Sequence, residues 1–143
     1  MNNYLKAEFS SKSINESLAR IIVSGFIMPL DPTIEELADV KTAVSEAVTN
    51  SIIHGYEGKE GTVSLEFILD ERNLTVKVHD DGIGIADIKQ AREPLFTSKP
   101  ECDRSGMGFT VMESFMDKVR VSSKAGQGTT VTMYKKFAGR SDT

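Results

Sequence analysis

Cysteine occurs once, at Cys102, tryptophan is absent, and proline appears only four times in 143 residues. A single cysteine excludes an internal disulfide framework and a cysteine-built zinc site. No stretch approaches the roughly 20 consecutive apolar residues of a spanning helix, so no membrane partner is expected. The opening Met1-Asn2-Asn3-Tyr4 lacks the basic-then-apolar start of a secretory signal, which leaves the cytoplasm as the expected location. Net charge is −4, with Lys and Arg scattered among Asp and Glu. That balance provides no basic surface of the kind nucleic acid demands, so no direct nucleic-acid partner is expected either. What remains is a globular composition, 39% hydrophobic and 27% charged, at a length that suits one domain over residues 1–143.

The hydrophobic pattern alternates between two periods. Leu5, Ala7 and Phe9 share one face of a short strand. From Ser13 a helical stretch follows, with Ile14, Leu18, Ile21, Ile22 and Phe26 as its expected buried stripe, ending near Pro29. Thr33-x-x-Glu36 is a capping box for a second helix whose inner face is Leu37, Val40, Val44, Ala47 and Ser51. Gly55 and Gly58 suit its end. Residues 62–69 and 74–80 alternate as strands around the polar Asp70–Asn73 turn, an antiparallel hairpin. A short helix is expected from Asp87 to Glu93, then a long loop over about 94–108. Met107 to Met116 reads as a helix with Phe109, Met112 and Met116 inward. Strands near 118–123 and 129–137 close the chain, with a frayed tail from Gly139. These elements predict an α/β fold, a two-layer sandwich whose mixed, mostly antiparallel sheet carries helices on one face.

Three stretches carry chemistry. Glu46 and Asn50 stand four apart on the second helix, with His54 a turn beyond. The Asn50 amide oxygen is a hard donor suited to Mg²⁺, which takes few protein ligands. Glu46 can accept a proton from an attacking hydroxyl. In isolation, a polar helix face explains the same pattern. Asp80 continues the buried register of Val76 and Val78, and a buried carboxylate is costly without a donor. The exocyclic amine of adenine is such a donor, and Gly82 and Gly84 let the backbone come close and turn. Ser105-Gly106-Met107-Gly108-Phe109 runs from loop into helix, where free N–H groups and the helix dipole suit phosphate. Lys99 and Arg104 are the cations nearby. Thr129 shares a face with Val131 and Met133 and can support the Asp80 contact, with Thr130 as the substitute if the register slips.

Together these motifs resemble the Bergerat-type, or GHKL, ATP-binding family, which includes gyrase, histidine kinases and MutL. Glu46 and Asn50 fall at its N box, Asp80-x-Gly82-x-Gly84 at its first glycine box, and Gly106-Met107-Gly108 at its second. Gly128-Thr129 lies beyond. The second glycine box is short, lacking a third glycine. Within that family the chain is most similar to the small anti-sigma serine kinases of endospore-forming bacteria. The likeness rests on Glu46–Asn50, Ile53-His54-Gly55-Tyr56, Pro94–Pro100 and Arg104–Phe109.

The resemblance implies ATP or ADP with Mg²⁺ on Asn50, and a lid between the glycine boxes. Its implied nucleotide contacts are Asn50, His54, Asp80, Gly82, Gly84, Ile85, Thr97, Lys99, Ser105, Gly106, Met107, Gly108, Phe109, Thr129 and Thr130. Glu46 and Arg104 are its implied catalytic groups. The implied partners are a sigma factor held inactive, an anti-anti-sigma protein phosphorylated on serine, and a second copy of the chain. Asn15, Glu16 and Arg20, away from the expected stripe of the first helix, are the nominated partner contacts. A histidine-kinase catalytic domain and a nucleotide-gated binding module are the alternatives. The first needs a phosphoacceptor histidine on a separate helix, and the only histidines are His54 and His79. A gyrase-like clamp would need a transducer domain for which 143 residues leave no room.

Overall fold

The computed structural model describes residues 3–85, Arg92 and 108–138. Strand β1 (Asn3–Ser10) leads to helix α1 (Asn15–Ile27), a 3₁₀ turn (Met28–Leu30) and helix α2 (Ile34–Asn50). The chain leaves α2 through a π turn (Ser51–Gly55). Then come strands β2 (Thr62–Asp70) and β3 (Asn73–Asp80), helix α3 (Gly108–Phe115), and strands β4 (Lys118–Ser123) and β5 (Thr129–Lys136). The strands form one sheet in the order β1-β2-β3-β5-β4, and every described pairing is antiparallel. The expected Asp87–Glu93 helix, the lid up to Met107 and the tail from Gly139 lie outside the described residues.

Alternation builds the layer boundary. Val63, Leu65, Phe67 and Leu69 of β2, and Leu74, Val76, Val78 and Asp80 of β3, are all buried. Helices cover that face, with Val40, Val44, Ala47 and Val48 of α2 wholly inside. The Phe26 ring of α1 lies tilted over Phe67, their centroids 5.5 Å apart. Each such large side chain contributes about 1.5–3 kcal/mol by leaving water.

The capping box of α2 is formed as expected. Thr33 Oγ1 accepts from the Glu36 N–H at 3.0 Å, and Glu36 Oε1 accepts from the Thr33 N–H at 2.9 Å. Glu36 Oε2 also takes the Ala138 N–H at 2.9 Å, tying the end of the last strand to the start of α2. Burial pushes the Glu36 carboxyl up, but these donors together hold it below the usual carboxylate range.

Helix α1 departs from its expected orientation. Ala19, Val23, Phe26 and Ile27 are its inner residues, whereas Ile14, Leu18 and Ile21 are 76%, 41% and 68% exposed. Of the expected stripe, Phe26 is buried and Ile22 packs against the core, so the helix is rotated only enough to leave the first three residues outside. No described helix is long and apolar enough to cross a membrane.

Candidate functional site

Asp80 ends β3 on the covered face and is 2% exposed. It stands opposite Val63 on one side and Thr129 on the other. Its carboxylate accepts from the Gly82 N–H at 3.0 Å and from the Ser51 side chain. Burial raises its pKa above the usual carboxylate value, and the charge of Asp81 adds to that. The two hydrogen bonds and His79 pull in the other direction without cancelling it. Such a carboxyl gains from one further donor, the role an exocyclic amine fills.

The π turn brings the end of α2 up to this carboxylate. A Cβ on Gly55 would stand 2.8 Å from Asp80 Oδ1, so only glycine allows that approach. One and two turns back along α2, Asn50 and Glu46 are half-buried. Helix α3 begins against the same place. A Cβ on Gly108 would lie 2.9 Å from Asn50 Nδ2 and 3.0 Å from Oδ1. The Glu46–Asn50 helix, Asp80 and the first residue of α3 are thus gathered at one end of the covered sheet face.

The β4–β5 hairpin supports the floor. Ser123 Oγ accepts from the Ile85 N–H at 2.7 Å, donates to the Gly128 carbonyl at 2.7 Å and lies 2.8 Å from Thr129 Oγ1. Thr129 is buried beside Asp80. Gly84, at φ 75°, turns the first glycine box against the Lys124 carbonyl.

Several expected residues have other partners or lie outside the described residues. Thr130 is on the opposite sheet face, 2.8 Å from His79 Nδ1, because side chains alternate along β5. His54 no longer shares an α-helical face with Glu46 and Asn50, since the chain widens into a π turn after Asn50. Phe109 is buried in the hydrophobic core, and Ile85 packs on its edge. Thr97, Lys99, Arg104, Ser105, Gly106 and Met107 lie outside the described residues.

Of the nominated partner contacts Glu16 is buried, while Asn15 and Arg20 are half-buried. Glu16 is 8% exposed and accepts from Thr49 Oγ1 at 2.8 Å. Arg20 donates to Ser45 Oγ at 2.7 Å and Ser17 Oγ at 2.8 Å, and Asn15 Nδ2 donates to the Ser10 carbonyl at 2.8 Å. Glu16 and Arg20 make a polar seam with α2, while Asn15 ties the start of α1 to the end of β1. Ser51 and Ser123, which contact the site directly, carry no motif that sequence reading could have found. Ser51 was legible only as part of a buried stripe.

The donor set fits Mg²⁺ in one respect. Among the described residues no group of three or more His, Cys, Asp or Glu could hold a metal. A single amide such as Asn50, completed by phosphate oxygens and water, is the kind of site Mg²⁺ uses.

Comparison with known proteins agrees with this geometry. A histidine kinase-like ATPase domain model matches residues 15–135. The anti-sigma F factor of Clostridium kluyveri is 60% identical over 136 residues, covering 95% of this chain and 96% of its own. That of Clostridium novyi is 60% identical over 136 residues, covering 94% and 95%. That of Clostridium acetobutylicum is 56% identical over 138 residues, covering 96% of each. Among solved structures, the RsbU and RsbW domains of Rv1364c from Mycobacterium tuberculosis align at a TM-score of 0.68 and 17% identity, which speaks to fold. That alignment covers 95% of this chain and 33% of the longer one. On identity, coverage and the arrangement around Asp80, the chain belongs to the anti-sigma F factor family and carries a histidine kinase-like ATPase domain.

Proposed function

We propose that this protein binds and silences a sporulation sigma factor and, using ATP, phosphorylates a serine of an anti-anti-sigma protein in the cytoplasm. The observation that carries the kinase reading is the gathering of Glu46, Asn50, Asp80 and the start of α3 at one end of the sheet. Asp80 accepts the adenine amine, with Thr129 beside it. Asn50 would hold Mg²⁺, which supplies charge neutralisation between the phosphates when bound. Glu46 takes the proton from the partner's serine hydroxyl. The serine Oγ forms a bond to the γ-phosphorus, the bond from that phosphorus to the β–γ bridging oxygen breaks, and ADP leaves. A serine hydroxyl, with its high pKa, needs such a base more than a histidine ring does. Arg104 and Lys99 are the cations assigned to the developing phosphate charge, by resemblance alone.

The proposal includes a homodimer. Its support is the exposed apolar face of α1, where Ile14, Leu18, Ile21 and Met28 recur at helical spacing.

The test is Glu46→Ala, assayed with labelled ATP and the purified partner. Loss of a general base costs about 10²–10⁴-fold. The variant is expected to bind ATP as the parent does and to lose transfer by at least about 100-fold. Transfer at the parent rate would remove Glu46 as the base.

A further inference from the structure

Resting on the ATP reading above, we propose that Tyr56 is a positioning residue for base recognition. Its hydroxyl is an inserted rung between β2 and β3 that sets where the Asp80–Gly84 loop leaves the sheet.

The β2–β3 ladder has Val63 opposite Asp80 as its last pair. Thr62 and Asp81 come next in register. They are bridged through a side chain instead. The Asp81 N–H donates to Tyr56 Oη at 2.8 Å, and the Tyr56 hydroxyl donates to the Thr62 carbonyl at 2.5 Å. One oxygen atom stands between the two strand ends, holding them apart where the first glycine box must diverge.

The consequence falls on Asp80. Asp81 precedes Gly82, whose N–H donates to Asp80 Oδ1 at 3.0 Å. Where Asp81 is held therefore sets where the Gly82 N–H points, and with it the face that the Asp80 carboxylate offers to a base. The other side of Gly82 is fixed from the neighbouring residue of the same segment, since the Ile83 N–H donates to the Gly55 carbonyl at 2.9 Å. A Cβ on Gly82 would lie 2.1 Å from that carbonyl oxygen. The Gly55–Tyr56 dipeptide thus grips the glycine box at both of its flanks.

The tyrosine is itself confined. Its own N–H donates to the Ser51 carbonyl at 3.0 Å, and a Cβ on Gly61 would lie 2.3 Å from the ring at Cε1. Tyr56 directly follows the π turn that continues α2, the helix carrying Glu46 and Asn50. One rigid unit therefore fixes the base acceptor relative to the metal and phosphate end of the site.

Tyr56→Phe removes only the hydroxyl. Calorimetric titration of the full chain with Mg-ATP and with Mg-GTP reads its role, alongside thermal unfolding of the nucleotide-free protein. Losing one hydrogen-bonded bridge is expected to weaken ATP by about five-fold and leave GTP unchanged, so that base selectivity falls by the same factor. Gly61→Ala, which pushes on the ring, is expected to lower selectivity in the same sense and serves if the phenylalanine variant does not fold. Unchanged ATP affinity, or equal losses for ATP and GTP, would overturn the positioning role while leaving the ATP reading standing. A parent protein that binds neither nucleotide would remove the ATP reading, and the positioning role with it.

Discussion

Asp80 carries a cost that its protein partners only partly offset. The Gly82 N–H and the Ser51 side chain satisfy two of its acceptor positions, yet burial still raises its pKa. For a carboxyl raised on folding, the protonated native form is favoured. Its stabilising contribution is complete below the unfolded pKa and is lost as pH rises through the raised folded value. Asp80→Asn, which cannot ionise, is therefore expected to unfold at a higher temperature than the parent at neutral pH. The gap should close as pH falls into the carboxylate range, as read by thermal unfolding across pH. The same variant should lose at least about ten-fold in ATP affinity, since hydrogen bonds to charged groups contribute about 1.5–3 kcal/mol. A variant less stable at neutral pH, or one with parental ATP affinity, would contradict this. Asp80 was legible because alternation puts it on the buried face. Ser51 and Ser123 were not, because their partners reach them through tertiary packing rather than local spacing.

Among the elements, α1 shows where sequence periodicity stops. Spacing identifies apolar stripes but does not say which stripe meets the sheet. Of the stripe read as core, Ile14, Leu18 and Ile21 face outward, whereas Ile22 and Phe26 turn inward with Val23 and Ile27. The same rotation turns Glu16 and Arg20 onto Thr49 and Ser45 of α2. By contrast, α2 was readable at its start, because the Thr33–Glu36 capping box is a local device. The helical run also stops at Gly55 as expected, but its widening after Asn50 was not readable, since a π turn has no residue signature of its own. An outward apolar face on α1 predicts that Ile21→Glu breaks the proposed dimer. Sedimentation should show the variant as a monomer where the parent is a dimer, with thermal stability within about 0.5 kcal/mol of the parent, as for a surface change. A monomeric parent, or a variant that stays dimeric, would rule out this face as the contact.

At the scale of the whole molecule, the site depends on a pairing that links distant parts of the chain. The β2–β3 and β4–β5 hairpins are local, and their alternation and turns made them legible. Pairing of β3 with β5 is what sets Thr129 opposite Asp80 and leaves Thr130 behind the sheet. Nothing in the local pattern of either strand specifies that partner. The two-layer arrangement and its antiparallel sheet follow, and they bring the first glycine box and Gly108 to the end of the Glu46–Asn50 helix. On the function proposed above, a site so assembled acts on a residue of another protein. The most direct measurement is incubation with γ-labelled ATP and the native cell extract, followed by identification of the labelled residue. The account predicts label on a serine of one small partner protein. Label on histidine, or none on any partner while ATP binds, would contradict it.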